Sequence, residues 1–204
     1  QSNLIVGLQK LEYRGYDSSG LSIFNGRNKI QRIRRAGKIK ELKKDLSRSK
    51  LTGLCGIAHT RWATHGEPIL KNSHPHNSSC VSIVHNGIIE NSDELKKILV
   101  RKKYKFTSDT DSEVIAHLLS NDIKNSKNYI KSLLSSFKKL KGSYAIGALI
   151  EHMPNTIIAA CSGSPLLIGL SEHGNFIASD LHALSKTATK YITLNDDEIA
   201  IIKR

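Results

Sequence analysis

The sequence predicts an α+β domain built on antiparallel sheets, and three observations carry that prediction. Two strand-like runs, LSIF and KIQRI, flank Asn25-Gly26, a dipeptide that favours a hairpin. Two amphipathic helical stretches follow one another at residues 109–123 and 126–140. The last third is a series of short apolar runs, SYAIGALI, TIIAAC, LLIGL, NFIAS, YITL and EIAIIK. Hairpins and strand runs mixed with helix pairs, without regular βαβ alternation, suggest the α+β class with antiparallel sheets. No G-x-G-x-x-G follows a strand and there is no Walker P-loop, which argues against a nucleotide-binding doubly wound sheet.

The elements follow in order. The chain opens on a helix, with Leu4, Ile5, Leu8 and Leu11 on one face, Ser2 or Asn3 as its cap and Gly15 as its stop. After the hairpin comes a lysine-rich helix around residues 38–49, then a strand through CGIAHT. The segment VSIVHNG reads as a strand ending in a glycine turn, and NSDELKKILV starts a helix with Asn91 or Ser92 as cap. A brief helical turn near LHALSK interrupts the final strands. No internal repeat, linker or break in composition divides the chain, so residues 1–204 are expected to form one domain.

Composition narrows the function classes. A chain of 204 residues can bury one core with two layers of sheet, and 39% apolar residues exclude a disordered segment. No apolar run reaches the roughly 18–20 residues that span a bilayer, so no membrane partner is expected. The opening QSNLIVGLQK has no secretory pattern. Because it starts on Gln and EIAIIKR stops on a strand, residues are expected to precede and follow this segment. Cys55, Cys80 and Cys161 are too scattered for a zinc site or a disulfide framework, which points to a reducing cytoplasm. The net charge of +13 raises nucleic acid as a partner, but the lysines alternate with apolar residues along helices, and only one Trp and four Phe are present. The charge therefore reads as solvated faces, and no nucleic-acid partner is expected. Arg32-Ile33-Arg34-Arg35 reads as a strand with one basic, solvated or interdomain face.

Three polar constellations carry chemistry. HTRWATHG, His59 to Gly66, follows an apolar strand and so lies where strand gives way to loop. Arg61 offers a planar fork suited to a carboxylate, with Thr60, Thr64 and the histidines as further donors. Trp62, taken alone, reads as core filler. In HNGIIEN, Asn86-Gly87 reads either as a hairpin turn or as an oxyanion hole, in which the Asn86 amide and the Gly87 N–H face developing charge. In SDTDSE, residues 108–113, Asp or Thr would cap a helix, or Asp111 would take the ammonium of an amino acid. Arg61 and Asp111 together would hold both ends of a zwitterion.

Taken in order, LEYRGYDSSG (11–20), HTRWATHGEP, His74-Pro75-His76, HNGIIEN and SDTDSEVIAHL resemble the class II glutamine amidotransferases. Within that class RGYDS, HTRWATHG, SGSPLLIGL and NFIASD are similar to the glucosamine-6-phosphate synthase family. The resemblance implies an N-terminal-nucleophile hydrolase fold, a four-layer α–β–β–α sandwich with antiparallel inner sheets. It implies that Arg61 clamps the α-carboxylate of L-glutamine, with Thr64 and His65 lining that pocket. It assigns the α-amino group to Gly87 and Asp111, and the oxyanion to Asn86 and Gly87. Trp62 would cover the site, and Arg14 with Gly15 would sit beside the nucleophile, while for His74 and His76, a weaker carry-over, a structural role stands as the alternative.

The resemblance also implies a cysteine nucleophile at the start of the mature chain, its free α-amine acting as base, roughly a dozen residues ahead of Gln1. Cys55-Gly56-Ile57 imitates that opening but has no free amine, and none of the three cysteines is expected to be catalytic. Residues 1–204 alone are therefore expected to release no glutamate. The implied parent passes ammonia to a downstream sugar isomerase domain of the same polypeptide, making glucosamine 6-phosphate from fructose 6-phosphate. It is expected to be a homodimer and to need no metal or organic cofactor. The alternatives are a non-catalytic glutamine-binding or regulatory module and a basic nucleic-acid-binding domain.

Overall fold

The computed structural model describes residues 1–204 apart from Lys50, Thr64, His65, Asn125, His173, Lys186 and Arg204. In chain order the elements begin with α1 (Ser2–Leu11), β1 (Ser18–Phe24), β2 (Ile30–Ala36), α2 (Ile39–Arg48) and β3 (Gly56–Arg61). They continue with β4 (His76–Ser78), β5 (Val81–Ile89), α3 (Ser92–Arg101), α4 (Ser112–Ile123) and α5 (Tyr129–Phe137). The final part holds β6 (Gly142–Ile150), β7 (Thr156–Ser162), β8 (Leu166–Ser171), β9 (Gly174–Ala178), α6 (Leu181–Leu184), β10 (Lys190–Leu194) and β11 (Ile199–Lys203). No helix among the described residues is long and apolar enough to cross a membrane.

The strands form three sheets, ordered β2-β1-β3, β10-β8-β9 and β11-β7-β6-β5-β4, and every strand pairing within them is antiparallel. On one outer face α1 and α2 lay Ile5, Leu8, Ile39, Leu42 and Leu46 against Leu21 and Ile23 of β1. On the other, α3, α4 and α5 press Leu95, Leu99, Ile115, Leu119, Leu133 and Phe137 onto Ile83, Ile146, Ile150 and Ile158 of the five-stranded sheet. Between the sheets Phe24 and Ile57 meet Leu149 and Ile157, and Ala145, Ala159 and Cys161 meet Leu166 and Leu194. This is the expected α–β–β–α sandwich.

β1 is buried along its whole length, which explains its run of small residues. Ser82 donates to Ser22 across the two layers at 2.7 Å. A Cβ on Gly20 would come within 2.3 Å of the His74 carbonyl oxygen, so the backbone of β1 and the loop before β4 can approach only without a side chain. Asn25 closes the β1–β2 hairpin by accepting the N–H groups of Arg27 and Lys29 at 2.9 and 3.0 Å.

Local expectations differ from the fold in several places. The N-cap of α1 is Gln1 rather than Ser2 or Asn3, and it makes no side-chain cap bond. Asn91 does precede α3, but its side chain bonds Lys139 and Lys141 across the sheet end instead of capping. The basic face of β2 is exposed at Arg32 and Arg35, as expected, and it also meets partners within the fold. Arg32 donates to the Pro75 carbonyl at 3.0 Å, Arg34 to the Ser73 carbonyl at 2.7 Å, and Arg35 pairs with Asp45 on α2.

Candidate active site

β5 runs through Asn86-Gly87 instead of turning there. Asn86 pairs opposite Ala145 and Gly87 opposite Tyr144 on β6, so the hairpin reading of this dipeptide is overturned. Gly87 has φ +136°, and a Cβ there would lie 2.0 Å from the Ser143 carbonyl oxygen. The position requires glycine on both counts. The end of β5 is therefore an exposed platform, extended along β6, for the Asn86 amide.

Asp111 stands directly behind this platform. It precedes α4 but makes no capping bond; its Oδ2 accepts the Ile89 N–H at 2.7 Å. The capping expectation for the acidic run is thus corrected, because a neighbour gathers the loop instead. Glu113, 2% exposed, accepts the Thr107 and Ser108 N–H groups at 3.0 and 2.7 Å and the Ser108 hydroxyl at 2.7 Å. Despite the opposing cost of burial, these donors and His117 hold the Glu113 carboxyl well below its ordinary value. The spacing that signals this fold-back, an acidic residue five positions after a polar one, was present in the sequence and given no role.

Arg61 ends β3 and is 5% exposed. Its Nη1 donates to the Glu67 carbonyl at 3.2 Å and its Nη2 to the Gly66 carbonyl at 3.1 Å, which fixes the plane of the guanidinium. Thr64 and His65, expected to line the same pocket, lie outside the described residues. Trp62 is 57% exposed and leans on Tyr16 with ring centroids 5.7 Å apart, so it is not core filler. The turn after β3 is tied down by Asp17, whose carboxylate accepts the Ala63 N–H at 2.6 Å. Asp17 lay within the RGYDSSG motif but only the folded chain shows what it holds.

Arg14 follows α1 and is oriented by Asp180, 3.3 Å away, and by the Ser179 hydroxyl. Tyr13 donates to the same carboxylate at 2.7 Å. Gly15 lies close under the Thr60–Trp62 backbone, where a Cβ would come within 3.0 Å of Arg61.

Beneath these groups sits a column of imidazoles, buried at His74, His76 and His85 and half-buried at His59. The rings of His59 and His74 are 4.2 Å apart and those of His74 and His76 are 4.6 Å apart. His85 bonds Ser112 through Nδ1 at 2.8 Å, and His76 bonds Thr110 at 3.1 Å. Burial pushes His59 and His76 down to about 3 and His85 to about 4, and it lowers His74 strongly as well. All four are neutral at pH 7, so the positive charge at the site comes from the arginines. The structural expectation for His74 and His76 fits this packing.

One cavity of about 700 Å³ brings the candidates together: Arg14, Arg61, Trp62, Asn86, Gly87 and Asp111 all line it. Its inner part runs between the end strands β3 and β9, over Ala145 and Gly147 of β6. Cys55 also lines it, but burial pushes that thiol up to about 11, and burial raises Cys80 and Cys161 too. None is a thiolate poised for attack.

A family profile described as a glutamine amidotransferase domain matches residues 60–186. The chain belongs to the glutamine amidotransferase domain family. The domain is 50% identical over 202 residues to the glutamine–fructose-6-phosphate aminotransferase (isomerizing) of Buchnera aphidicola from Acyrthosiphon pisum, covering 98% of this chain and 33% of that protein. It is 47% identical over 201 residues to the enzyme of the same name from Haemophilus influenzae, with the same coverage of each. The chain thus spans about a third of the length of these curated relatives. Among solved structures it is similar to the glutamine phosphoribosylpyrophosphate amidotransferase of B. subtilis, with a TM-score of 0.84 and 28% identity over 99% of this chain and 44% of that one. The amidotransferase domain therefore has the expected N-terminal-nucleophile hydrolase architecture.

Proposed function

We propose that this domain recognises L-glutamine and, within a longer polypeptide, hydrolyses it to glutamate and ammonia. The observation that carries the reading is the single cavity shared by Arg61, Asp111, Asn86 and Gly87. Arg61 takes the α-carboxylate through its fork, and Asp111 takes the α-ammonium. The Asn86 amide and Gly87 N–H take the oxyanion that forms when the side-chain amide is attacked. Trp62 covers the bound substrate, and Arg14 stands beside the nucleophile.

The attacking group is a cysteine on a segment ahead of Gln1. The part of the cavity between β3 and β9 suits an extended strand, since both are end strands with backbone groups available for pairing. That cysteine adds to the amide carbon, ammonia leaves as the tetrahedral intermediate collapses, and water then releases glutamate from the thioester. The ammonia passes to a sugar isomerase domain of the same polypeptide, which converts fructose 6-phosphate to glucosamine 6-phosphate in a cytoplasmic homodimer. The names of the half-identical relatives support this destination.

The raised thiols of Cys55, Cys80 and Cys161 favour a second statement: residues 1–204 by themselves bind glutamine without turning it over. Glutamate release measured for the full-length protein and for residues 1–204 tests both. Release by the full-length protein alone is expected, and release by the shorter chain would overturn the second statement. Arg61→Ala in the full-length protein should weaken glutamine binding by about 1.5–3 kcal/mol, the cost of a lost charged hydrogen-bond partner. An unchanged affinity would remove Arg61 from the site.

A further inference from the structure

Asn72 is completely buried, yet it touches no group assigned to substrate. It ends a single 3-10 turn, Leu70–Asn72, between the loop that carries the Arg61 partners and the strand β4. Its side-chain amide spans two loops. Nδ2 donates to the Glu67 carbonyl at 3.0 Å, the same oxygen that accepts Arg61 Nη1 at 3.2 Å. Oδ1 accepts the Asp109 N–H at 2.9 Å, and Nδ2 also reaches the Asp109 carboxylate at 3.3 Å. Asp109 lies two residues before Asp111.

An amide is planar, with its donor and acceptor held at a fixed separation, so it behaves here as a rigid strut. One end bears on the backbone that orients the Arg61 fork and the other on the backbone that delivers Asp111. A Cβ on Gly66, whose carbonyl is the second Arg61 partner, would come within 2.7 Å of Asn72 Nδ2, so loop and amide are in direct contact. From the opposite side Arg34 donates to the Lys71 and Ser73 carbonyls at 3.3 and 2.7 Å, fixing the turn from which Asn72 projects.

We propose that Asn72 is a positioning residue that sets the spacing between the Arg61 and Asp111 clamps, and so selects ligands carrying both an α-carboxylate and an α-ammonium group. The inference rests on the glutamine reading of the site. It makes a distinction that a merely structural role would not. Loosening the strut weakens a ligand held at both ends more than one held at a single end.

The test uses the full-length protein, with glutamate release as assay and two competitive inhibitors as probes: 4-carbamoylbutanoate, which lacks the amino group, and 4-aminobutanamide, which lacks the carboxylate. Asn72→Ala should raise KM for L-glutamine about tenfold with kcat changed by less than about twofold, while both inhibition constants change by less than about threefold. Ser73→Ala, a buried neighbour that touches neither clamp, should leave all values near wild type. If Asn72→Ala does not fold, Asn72→Asp, of the same shape but without the donor, replaces it and should show the same selective rise. Equal weakening of all three ligands, or no weakening of glutamine, would overturn the proposal. Arg61→Ala run alongside separates the two levels. An unchanged KM there refutes the glutamine site itself, whereas a raised KM there with an unaffected Asn72 variant refutes only the strut.

Discussion

Acidification from pH 7.5 to pH 5 should destabilise this domain well before its carboxylates protonate. The perturbation acts on His59, His74, His76 and His85; the last three are at most 4% exposed, and His59 is half-buried with its Nδ1 shielded from solvent. Among the described residues, His59 Nδ1, His85 Nε2 and both nitrogens of His74 have no hydrogen-bond partner. Desolvation outweighs the opposing pull of the Asp111 carboxylate on His85 and of Glu113 on His76, which leaves the folded values near 3 to 4 for His59, His76 and His85. In the unfolded chain a histidine titrates near 6.5. A folded pKa below the unfolded one gives stability that is present above about pH 6.5 and lost as pH falls, because the unfolded state then binds the extra protons. At pH 5 the unfolded imidazole lies about 1.5 units below its pKa, so each buried histidine costs about 2 kcal/mol at about 1.36 kcal/mol per unit. Three give about 6 kcal/mol, and His74 acts in the same direction; a domain of this kind has only about 5–15 kcal/mol in total. Glu113, whose carboxyl is lowered from an ordinary value of 4.5, adds only about 0.2 kcal/mol in the same direction by pH 5. Urea unfolding followed by circular dichroism at pH 7.5, 6.5, 5.5 and 5.0 measures the effect. A stability unchanged between pH 7.5 and 5.0 would refute the claim that these imidazoles are held neutral by burial, and His76→Gln should lower the slope by about one proton.

Two further expectations concern single residues of the site. Gly87→Ala adds a Cβ 2.0 Å from the Ser143 carbonyl at a φ of +136°. Backbone strain of about 1–3 kcal/mol plus a similar packing cost should lower the urea midpoint and abolish glutamate release, and a variant of wild-type stability and activity would show that β5 does not need glycine there. Trp62→Ala, at an exposed position, should change stability by less than about 0.5 kcal/mol while weakening glutamine turnover. A large loss of stability would instead return Trp62 to the core.

The comparison of Asn86-Gly87 with Asn25-Gly26 shows what kind of information each level holds. Both dipeptides follow an apolar strand, and locally both favour a turn. Asn25 does close a hairpin, by folding its side chain onto the N–H groups of Arg27 and Lys29. Asn86 does not, because β6 supplies Ala145 and Tyr144 as pairing partners about sixty residues along the chain. Trp62 makes the same point for burial, since sequence reports that it is apolar but only the packing of the β3 end decides that it faces outward beside Tyr16.

The α+β class and most of the element order were legible in the sequence, which also offered Arg61 and Asp111 as candidates for a zwitterionic amino acid. Apolar periodicity and the ordered motifs are properties of neighbouring residues, and they survive without knowledge of the fold. Only the tertiary structure decided that Arg61 and Asp111, fifty positions apart, line one cavity with Asn86 and Gly87. Packing likewise makes Glu113 rather than Asp111 gather the α4 loop, buries His74, His76 and His85, and lets Asn72 brace two loops. Each of these depends on which distant backbone donors and acceptors are brought within about 3 Å, a distance set by sheet pairing and layer packing and not by spacing along the chain.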